Sequence, residues 1–493
     1  MTNVFFPSSR INALLTGSSK SIGASCNVFS VDDTVDSIAE SQYWSYQVLA
    51  YQGAPSLDFS KLRPAGSKLG TGGTASGALS FMIPFDAVVS TMRREEKKNG
   101  AGIAYLDYNH PELDRFLEYD FNAAYKAVYI PMHGTAEAEE FLRDTEKINK
   151  LAYAYDYFKC FLVKRPLDYY DTPLLTNLCT EVEIPHRGSC ILGSVNLAAY
   201  DNINTFVEHF PTDFEDAATQ MLSYTIQSQQ KQQQTDLYCY DQANKQFGLG
   251  LFGLASVLGR FGITYEDLNN AFENLFSVTG DINQYAYNSV FLEDWQHESP
   301  PHLFVHGLAW AYAMASNAVQ GKVRAAFCIQ PTVSTSQRAT DLGRYNVSPE
   351  IQPVIGIRHD GGVSTIFKSE TKGDKQITYN PQTWTTEDVS YSSYAETSGH
   401  FQRLLNSTGL AHRHSHCFYG QKFTTDDLKA LYHHPVKKEI KSLYYRLPSK
   451  VNTESLKKDQ LWQEVGEGEL GEFNLEYLFG NQQHGSIQCE CAD

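Results

Sequence analysis

Short apolar runs separated by polar and glycine-rich segments make up the first part of the chain. Residues 22–31 form one such run, which predicts a buried strand. In residues 34–51, apolar side chains recur at helical spacing after Asp and Thr residues that suit a helix cap. We expect a loop over the glycine-rich residues 66–77, a helix over 81–92 and a second strand over 103–108.

The later part of the chain alternates longer helical segments with apolar runs. Residues 213–261 predict mainly long helices, and the glycine-punctuated residues 247–259 suit a helix packed closely on a sheet. Residues 324–330 predict a buried strand, whereas the polar residues 360–400 indicate hairpins or surface loops. The acidic, glycine-rich residues 466–493 indicate a mobile tail. The alternation of strands with helices predicts an α/β fold.

Composition narrows the class of protein. The chain has 493 residues, of which 42% are hydrophobic, and a formal net charge of -17. A protein this acidic repels a nucleic-acid backbone, so we expect no nucleic acid as a partner. No apolar run reaches the roughly 18 residues that a membrane span needs, and no secretory leader is visible, so we expect a cytoplasmic protein. Nine irregularly spaced cysteines then predict reduced thiols rather than a disulfide framework.

Two sequence features in the middle of the chain could carry chemistry. In Asn177-Leu-Cys179-Thr-Glu181, the thiol and the carboxylate are two residues apart, and in an extended segment they share one face. A carboxylate beside a reacting thiol can act as a general base on a substrate hydroxyl. Cys190 follows a little further along the chain. The ordinary explanation is a buried cysteine in a strand followed by a solvent-facing glutamate.

Two further features lie near the C-terminus. Cys489 and Cys491 lie on the expected tail, where two thiols could form a disulfide, bind a metal or exchange with another disulfide. They could equally be incidental. Tyr444 and Tyr445 are adjacent, and adjacent aromatic residues by default face opposite sides of a strand.

Together and in this order, these features resemble the large subunits of ribonucleotide reductases. Residues 25–38, which include Cys26, resemble the family segment with the first redox cysteine and the start of the effector site. Residues 247–254 resemble its glycine-rich barrel helix, and residues 331–337 resemble its substrate-phosphate turn. The resemblance extends over nearly the whole chain.

The resemblance implies a fold and a domain organisation. The fold would be a ten-stranded α/β barrel of two parallel five-stranded halves, with Cys179 on a finger loop threaded through its centre. Residues 1–465 would form this catalytic barrel, including effector-site helices and loops near residues 33–102. Residues 466–493 would form a flexible redox-active tail. The chain would be a compact form without the N-terminal ATP-binding cone of many relatives, as in virus-encoded versions that act in a host cytoplasm.

The resemblance also implies a reaction, the reduction of ribonucleoside di- or triphosphates to 2′-deoxyribonucleotides. Cys179 would become a thiyl radical that abstracts the 3′-hydrogen of the substrate. Glu181 would take the proton of the 3′-hydroxyl, and Asn177 would hydrogen-bond the reacting hydroxyls. Cys26 and Cys190 would supply two electrons and end as a disulfide.

Partner proteins follow from the same resemblance. Cys489 and Cys491 would reduce the active-site disulfide by exchange and would be reduced by a thioredoxin- or glutaredoxin-type protein, although their Cys-x-Cys spacing is tight for the family. Tyr444 and Tyr445 would carry the radical to Cys179 from the metal cofactor of a separate ferritin-like small subunit. No cofactor would be bound by the chain itself.

Two nucleotide sites are expected. A turn rich in hydroxyls suits the substrate phosphates, although a simple strand-to-helix cap has the same composition. The phosphate-binding candidates are Thr332, Ser334, Thr335, Ser336 and, more weakly, Ser8. A deoxynucleotide or ATP effector would bind at a homodimer interface, and glycines would permit backbone changes in the loop that relays its signal. The effector-site candidates are Asp33, Arg63, Lys97, Gly100 and Gly102.

Two alternatives stay open. The first is an adenosylcobalamin-dependent reductase, which performs the same reaction with another radical source. The second is a non-enzymatic zinc-binding or scaffold protein, since His412, His414, His416 and Cys417 alternate along one segment. No carboxylate or second cysteine group is close to them in sequence, so a solvated or hydrogen-bonded histidine cluster is the ordinary explanation.

Overall fold

A computed structural model describes most of the chain up to residue 448, and all structural statements below refer to the described residues. They are residues 4–17, 21–92, 100–157, 160–166, 173–235, 237, 245–278, 297–332, 335–336, 338–339, 345–354, 357–359, 363–365, 370–372, 375–379, 383–386, 388–420 and 422–448. The expected tail, residues 466–493, lies outside them.

Strands and helices alternate along most of the chain. The strands are β1 (Phe5–Pro7), β2 (Cys26–Ser30), β3 (Ala54–Asp58), β4 (Ile103–Asp107), β5 (Tyr125–Ile130), β6 (Phe161–Lys164), β7 (Leu175–Thr176), β8 (Glu183–Ile184), β9 (Ser189–Asn196), β10 (Gln246–Phe252), β11 (Ala325–Ile329), β12 (Tyr345–Asn346), β13 (Ile357–His359), β14 (Val363–Thr365), β15 (Glu370–Lys372), β16 (Lys375–Tyr379), β17 (Ala411–His414), β18 (His416–Gly420) and β19 (Ser442–Pro448). The helices are α1 (Ser9–Thr16), α2 (Val35–Ala50), α3 (Ala78–Thr91), α4 (Leu113–Glu118), α5 (Ala136–Arg143), α6 (Thr145–Asp156), α7 (Ile203–Gln232), α8 (Leu254–Phe261), α9 (Tyr265–Val278), α10 (Pro300–Val319), α11 (Tyr391–Ser407) and α12 (Thr425–His433).

The main sheet consists of two parallel halves that meet at antiparallel joints. In the first half, β2, β3, β4, β5 and β6 are neighbours in that order and run parallel. In the second half, β9, β10, β11 and β17 run parallel, and β18 pairs in parallel with β19. The halves join where β2 pairs antiparallel with β9 and where β6 pairs antiparallel with β19.

The two ends of this sheet are β17 and β18, which are separated in the chain by Ser415 alone. The Ser415 backbone N donates to the Ile329 carbonyl oxygen (2.9 Å), so the two strands continue each other past β11. The sheet is therefore a nearly closed barrel. Taken as one bent strand, β17 and β18 give ten barrel strands; taken separately, and with β1 paired on β9, they give a twelve-stranded sheet. The predicted α/β barrel of two five-stranded halves is confirmed.

Helices cover the outer face of the barrel. The long helices α7 and α10 pack on each other, and α7 also packs beside β9 and β10. At their contact, the Phe206 ring stacks on Phe210 (centroids 4.7 Å apart) and on Phe304 (4.6 Å). These fully buried rings remove a large apolar area from water, which stabilises the packing of helix on barrel. Among the described helices, we find none that is both long and apolar enough for a membrane crossing.

Several predicted elements of the first part of the chain are confirmed. The apolar residues 22–31 contain β2, whose five residues are all buried. The helix predicted over 34–51 is α2, and its Thr34 hydroxyl accepts a hydrogen bond from Ser37 N (3.2 Å) as the expected cap. The helix over 81–92 and the strand over 103–108 correspond to α3 and β4.

The helix predicted over residues 247–259 is wrong, and so is the likeness of 247–254 to a barrel helix. Residues Gln246–Phe252 form β10, and α8 begins only at Leu254. A short apolar run does not distinguish a buried strand from a buried helix. The strand pairing explains the glycine at position 248. A Cβ at Gly248 would lie 2.6 Å from Leu192 Cδ2 and 2.9 Å from Cys328 Sγ on the two neighbouring strands.

The polar residues 360–400 are predicted only in part. The antiparallel pairs β13–β14 and β15–β16 are the expected hairpins. Residues Tyr391–Ser407, however, form the helix α11. Its composition is misleading because polar side chains such as Thr397 and Gln402 are fully buried and hydrogen-bonded, so the buried face does not have an apolar pattern.

Candidate active site

Cys179 lies at the tip of a finger loop inside the barrel. The loop is the short antiparallel pair β7–β8, in which Leu175 pairs with Ile184. The Asn177 side chain stabilises the turn, since its Oδ1 accepts from Val182 N (3.0 Å). Thr180 has a positive φ of 66°, a conformation that is unusual for a residue with a branched side chain. The Cys179 side chain is fully buried.

The barrel wall supports this loop from both halves. From the first half, Tyr105 OH donates to the Asn177 carbonyl oxygen (2.7 Å), and Thr176 N donates to Tyr129 OH (3.0 Å). From the second half, Ser442 Oγ donates to the Thr180 carbonyl oxygen (3.0 Å). The position of the Cys179 sulfur is thus set by contacts on opposite sides of the barrel.

A buried ion pair anchors the second arm of the loop. Arg413 Nε lies 2.6 Å from Glu183 Oε1, and the Arg413 side chain is fully buried. The Arg413 backbone N also donates to the Glu181 carbonyl oxygen (2.8 Å). Burial by itself raises the pKa of Glu183, but the positive charges of Arg413 and Lys441 outweigh it and lower the pKa to about 2. Glu183 is therefore ionised and paired.

The Asn177 amide connects two of the predicted catalytic groups. Its Nδ2 donates to Cys26 Sγ (3.0 Å) and to Glu181 Oε1 (2.9 Å). Asn177, Glu181 and Cys26 are all fully buried. One amide thus fixes a carboxylate and a thiol that are far apart in sequence.

Cys26 and Cys190 face each other across the joint between the half-barrels. They are direct partners in the antiparallel pairing of β2 with β9, and both are buried thiols rather than halves of a disulfide. Directly opposed residues of antiparallel strands have Cα atoms about 4.5–5.5 Å apart, which a disulfide can span. Burial, with the charge of Glu181 as a smaller cause, raises the pKa of Cys190, which keeps this thiol protonated.

A fourth thiol of this interior, Cys328, was missed in the sequence. Cys328 on β11 is fully buried, and its Sγ donates to Gln330 Oε1 (3.4 Å). Burial raises the pKa of Cys328, and the nearby Glu181 and Cys190 raise it further. The only available signal was its position in the predicted strand 324–330, which does not indicate the direction of the side chain.

The two adjacent tyrosines lead to the radical-site candidate. The rings of Tyr444 and Tyr445 have centroids 3.9 Å apart and planes at 42°. Tyr444 OH donates to Cys179 Sγ (3.7 Å), and both tyrosines are buried. Phe161 packs against both rings, at 4.8 Å from Tyr444 and 5.6 Å from Tyr445. Adjacent side chains that point to opposite faces of a strand would not bring their rings this close, so that ordinary expectation does not hold for Tyr444 and Tyr445.

The phosphate-site candidates are buried and already hydrogen-bonded within the protein. Ser8 caps α1, because its Oγ accepts from Ile11 N (3.4 Å), and Thr332 Oγ1 accepts from Glu350 N (2.7 Å). Thr335 and Ser336 are also buried, whereas Ser334 lies outside the described residues. The hydroxyls of Ser8 and Thr332 therefore shape the turns as acceptors, and each hydroxyl still carries an O–H donor.

Two of the effector-site candidates, Asp33 and Arg63, form a partly exposed ion pair. Arg63 Nε lies 2.6 Å from Asp33 Oδ2, and about a third of each side chain is exposed. Gly100 and Gly102 have a packing role, since a Cβ would lie 2.8 Å from the Met92 carbonyl oxygen at Gly100 and 2.7 Å from Val89 Cγ2 at Gly102. Lys97 lies outside the described residues.

Two of the three histidines of the zinc alternative, His412 and His416, make side-chain hydrogen bonds to protein groups. His412 Nδ1 accepts from Glu183 N (3.1 Å), and its Nε2 lies 3.1 Å from the Phe247 carbonyl oxygen. His416 Nε2 lies 2.9 Å from Tyr391 OH. Within the described ranges, no three His, Cys, Asp or Glu side chains are grouped so as to hold a metal ion. The described part of the chain thus gives the zinc alternative no support.

This histidine cluster predicts a pH-dependent stability. Burial lowers the pKa of His414 to about 3, and burial together with Arg324 lowers that of His412 to about 3. In the unfolded chain a histidine binds its proton below about pH 6.5. The unfolded state therefore binds more protons than the folded state between these values, and stability falls as the pH drops through this window. Each histidine contributes roughly 1.4 kcal/mol per pH unit.

We expect His414→Gln to flatten this dependence. Unfolding by denaturant, measured from about pH 7 to about pH 5, would give a smaller loss of unfolding free energy for the variant than for the wild type. His209→Gln is the matched control, because that side chain is 59% exposed and its replacement leaves the slope unchanged. Equal slopes for His414→Gln and the wild type would contradict the assignment.

Comparisons with known proteins agree with the barrel. A family model described as the barrel domain of ribonucleotide reductase matches residues 24–151 and 168–290. The class Id ribonucleotide reductase alpha subunit of Actinobacillus ureae superposes with a TM-score of 0.63 and 16% identity, covering 91% of this chain and 88% of that chain. At this identity the superposition shows the fold alone.

Sequence relatives carry related names. The vitamin B12-dependent ribonucleoside-diphosphate reductase of Mycobacterium tuberculosis is 26% identical over 51% of this chain and 41% of its own length. A protein of the same name from Thermoplasma acidophilum is 25% identical over 49% of this chain and 36% of its own length. The ribonucleoside-diphosphate reductase large subunit of Ostreid herpesvirus 1 is 34% identical over 20% of this chain. The matches thus span less than half the length of these relatives.

The family model covers about half of the chain, in a fold that the superposed alpha subunit shares. Its matched ranges contain the finger loop and the two opposed thiols, Cys26 and Cys190. The chain belongs to the ribonucleotide reductase large-subunit family, of which it contains the barrel domain.

Proposed function

We propose that this chain is the catalytic subunit of a ribonucleotide reductase that acts on ribonucleoside di- or triphosphates. One observation carries the proposal. A buried thiol at a loop tip, a carboxylate fixed by an amide, and a pair of opposed thiols are brought into one barrel interior. Contacts link Glu181, Asn177, Cys26 and Cys190, and Cys179 lies between Asn177 and Glu181 in the same loop.

The first half of the reaction needs the loop residues. The Cys179 thiyl radical takes the 3′-hydrogen atom of the ribose, which leaves a substrate radical and a thiol. Glu181 accepts the proton of the 3′-hydroxyl, while the 2′-hydroxyl leaves as water after it gains a proton. Asn177 is suited to hold Glu181 during these steps because the amide already donates to its carboxylate. Burial keeps water and stray reductants away from the radicals.

The second half needs the opposed thiols. Cys26 and Cys190 together give two electrons and two protons to the substrate and end as a disulfide. Cys179 returns the 3′-hydrogen atom, and Glu181 returns its proton to the 3′-oxygen. The sum is a ribonucleotide and two thiols converted into a deoxyribonucleotide, a disulfide and water. The raised pKa of Cys190 favours its protonated form, which can donate hydrogen. Cys489 and Cys491 lie outside the described residues. They are suited to reduce this disulfide by exchange and to be reduced in turn by a thioredoxin- or glutaredoxin-type protein.

The tyrosine stack favours a radical that arrives from outside the chain. Oxidised Tyr445 would take an electron and a proton from Tyr444, and the resulting Tyr444 phenoxyl would take the hydrogen atom of the Cys179 thiol. The 3.7 Å hydrogen bond from Tyr444 OH to Cys179 Sγ suits this last transfer. We therefore propose a separate ferritin-like small subunit with a metal cofactor as the source. A homodimer with a deoxynucleotide or ATP effector near Asp33 and Arg63 completes the proposal.

A second candidate is a reductase that uses adenosylcobalamin. The names of the Mycobacterium tuberculosis and Thermoplasma acidophilum relatives favour it. When bound, that cofactor supplies a radical able to oxidise a thiol without a partner subunit. The hydroxyl of Tyr444 lies 3.7 Å from the Cys179 sulfur, and this contact favours a tyrosine relay.

A reconstitution assay tests the proposal and separates the candidates. Purified protein is incubated with CDP, dithiothreitol and a deoxynucleotide, together with a small subunit from the same genome, adenosylcobalamin, or neither. Formation of dCDP with the small subunit alone supports the relay, and formation with adenosylcobalamin alone supports the second candidate. Cys179→Ser is the control that abolishes either activity. Failure of the protein both to bind CDP and to form dCDP in every arm would contradict the proposed function.

A further inference from the structure

A cation lies where the two turns expected to hold the substrate phosphates meet. Arg338 Nη2 donates to the Pro7 carbonyl oxygen (3.1 Å) and to Thr335 Oγ1 (3.5 Å). Pro7 directly precedes Ser8, the cap of α1, and Thr335 belongs to the turn after β11. One guanidinium thus connects Thr335 with Pro7, the residue before Ser8. These two segments are more than three hundred residues apart in sequence.

The position of this guanidinium is well defined. Arg338 is half-buried, and its guanidinium carbon lies 6.0 Å from the centre of the Phe6 ring. Phe6 and Pro7 are held on the barrel by their pairing with Ser194 and Gly193 of β9. The guanidinium has five N–H donors in a plane.

The serine and threonine side chains of the two turns are uncharged. The Ser8 and Thr332 hydroxyls already accept hydrogen bonds from backbone N–H groups. The chain has a net charge of -17, so an anionic substrate approaches it against repulsion. A guanidinium at the junction of two turns offsets this repulsion locally, and its planar donors match the geometry of phosphate oxygens.

We propose that Arg338 binds the substrate's phosphate groups and makes the affinity of the chain depend on their charge. This inference rests on the proposed function, because it concerns the same substrate. Its consequence is that the base and the ribose contribute to binding independently of Arg338, whereas the di- or triphosphate binds through it. A nucleoside without phosphates gains nothing from this residue.

Binding measurements test the role without relying on turnover. CDP, cytidine and inorganic pyrophosphate are titrated into the Cys179→Ser protein, with each of the four deoxynucleoside triphosphates in parallel as effector. In this background, Arg338→Gln is expected to weaken the binding of CDP and pyrophosphate by about 10- to 100-fold, as for loss of a charge-assisted hydrogen bond, and to leave that of cytidine unchanged. The difference between CDP and cytidine is expected to shrink with added salt.

Two further variants separate charge from structure. Arg338→Lys keeps the charge and is expected to retain part of the preference for CDP over cytidine. Arg260→Gln is the matched control, since Arg260 Nη1 also bridges two oxygen atoms of the protein. They are the carbonyl oxygens of Ala198 (3.0 Å) and Tyr200 (2.7 Å). It is expected to leave the preference unchanged.

The outcomes are distinguishable. Equal weakening of CDP and cytidine binding by Arg338→Gln would overturn the proposal and leave a structural role, and unchanged CDP binding would overturn it as well. Failure of the protein with the native Arg338 to bind any of the three probes would instead count against the proposed function.

Discussion

Tyr444→Phe is expected to abolish the dCDP formation that depends on a small subunit, to below about 1% of the wild-type rate. The substitution removes only the hydroxyl that donates to Cys179 Sγ at 3.7 Å, and the ring can keep its stack on Tyr445. Without that hydroxyl, the residue next to Cys179 cannot exchange a hydrogen atom with the thiol. The loss is expected in the initial rate of dCDP formation, with CDP binding unchanged.

A matched tyrosine controls for the general effect of losing a buried hydroxyl. Tyr265 is buried and donates its OH to the Ile351 carbonyl oxygen (2.8 Å), outside the tyrosine stack. Tyr265→Phe is expected to lose stability but to keep its activity per folded molecule. Undiminished small-subunit-dependent activity in Tyr444→Phe would show that the radical reaches Cys179 by another path.

Arg413→Met is expected to cost about 3–5 kcal/mol of unfolding free energy, the largest stability effect that we foresee. The substitution removes a fully buried guanidinium 2.6 Å from Glu183 and leaves that carboxylate without its charge partner. The Arg413 Nη1 bond to the Lys441 carbonyl oxygen (3.0 Å) is lost as well. Equilibrium unfolding in denaturant at neutral pH measures the change.

Two comparisons give this number its meaning. Lys61→Met breaks an ion pair with Asp32 in which both side chains are 58% exposed, and such a pair is worth at most about 1 kcal/mol. Adding Glu183→Gln to Arg413→Met is expected to recover part of the loss, because no buried charge then lacks a partner. A change under about 1 kcal/mol for Arg413→Met would mean that the pair does not anchor the loop.

Local sequence patterns predicted much of the fold and the residue types of the site. The buried strands around Cys26 and over 324–330 follow from apolar runs, and the helix α2 follows from its cap and spacing. The Asn177-x-Cys179-x-Glu181 pattern predicted the loop residues because they are close in sequence. The helix predicted over β10 was wrong. The glycines of this segment make room for side chains of the neighbouring strands, and those neighbours are not visible in its own sequence.

The residues that support the site could not be predicted for a related reason. Tyr105, Arg413 and Arg338 act through partners that are distant in the chain, such as the carbonyl oxygens of Asn177, Lys441 and Pro7. A carbonyl acceptor has no sequence signature, since every residue has one. The interior position of Cys328 likewise depends on the pairing of β11 with β10, which the sequence of β11 alone does not indicate.

The antiparallel joint between β2 and β9 has a mechanical consequence. Cys26 and Cys190 are the facing residues of that seam, one on each half-barrel. If they supply the electrons, every turnover forms a disulfide that crosslinks the two half-barrels, and every reduction breaks that crosslink. The working enzyme would then alternate between a form in which main-chain pairing joins the two half-barrels at this seam and a form in which a disulfide also crosslinks them.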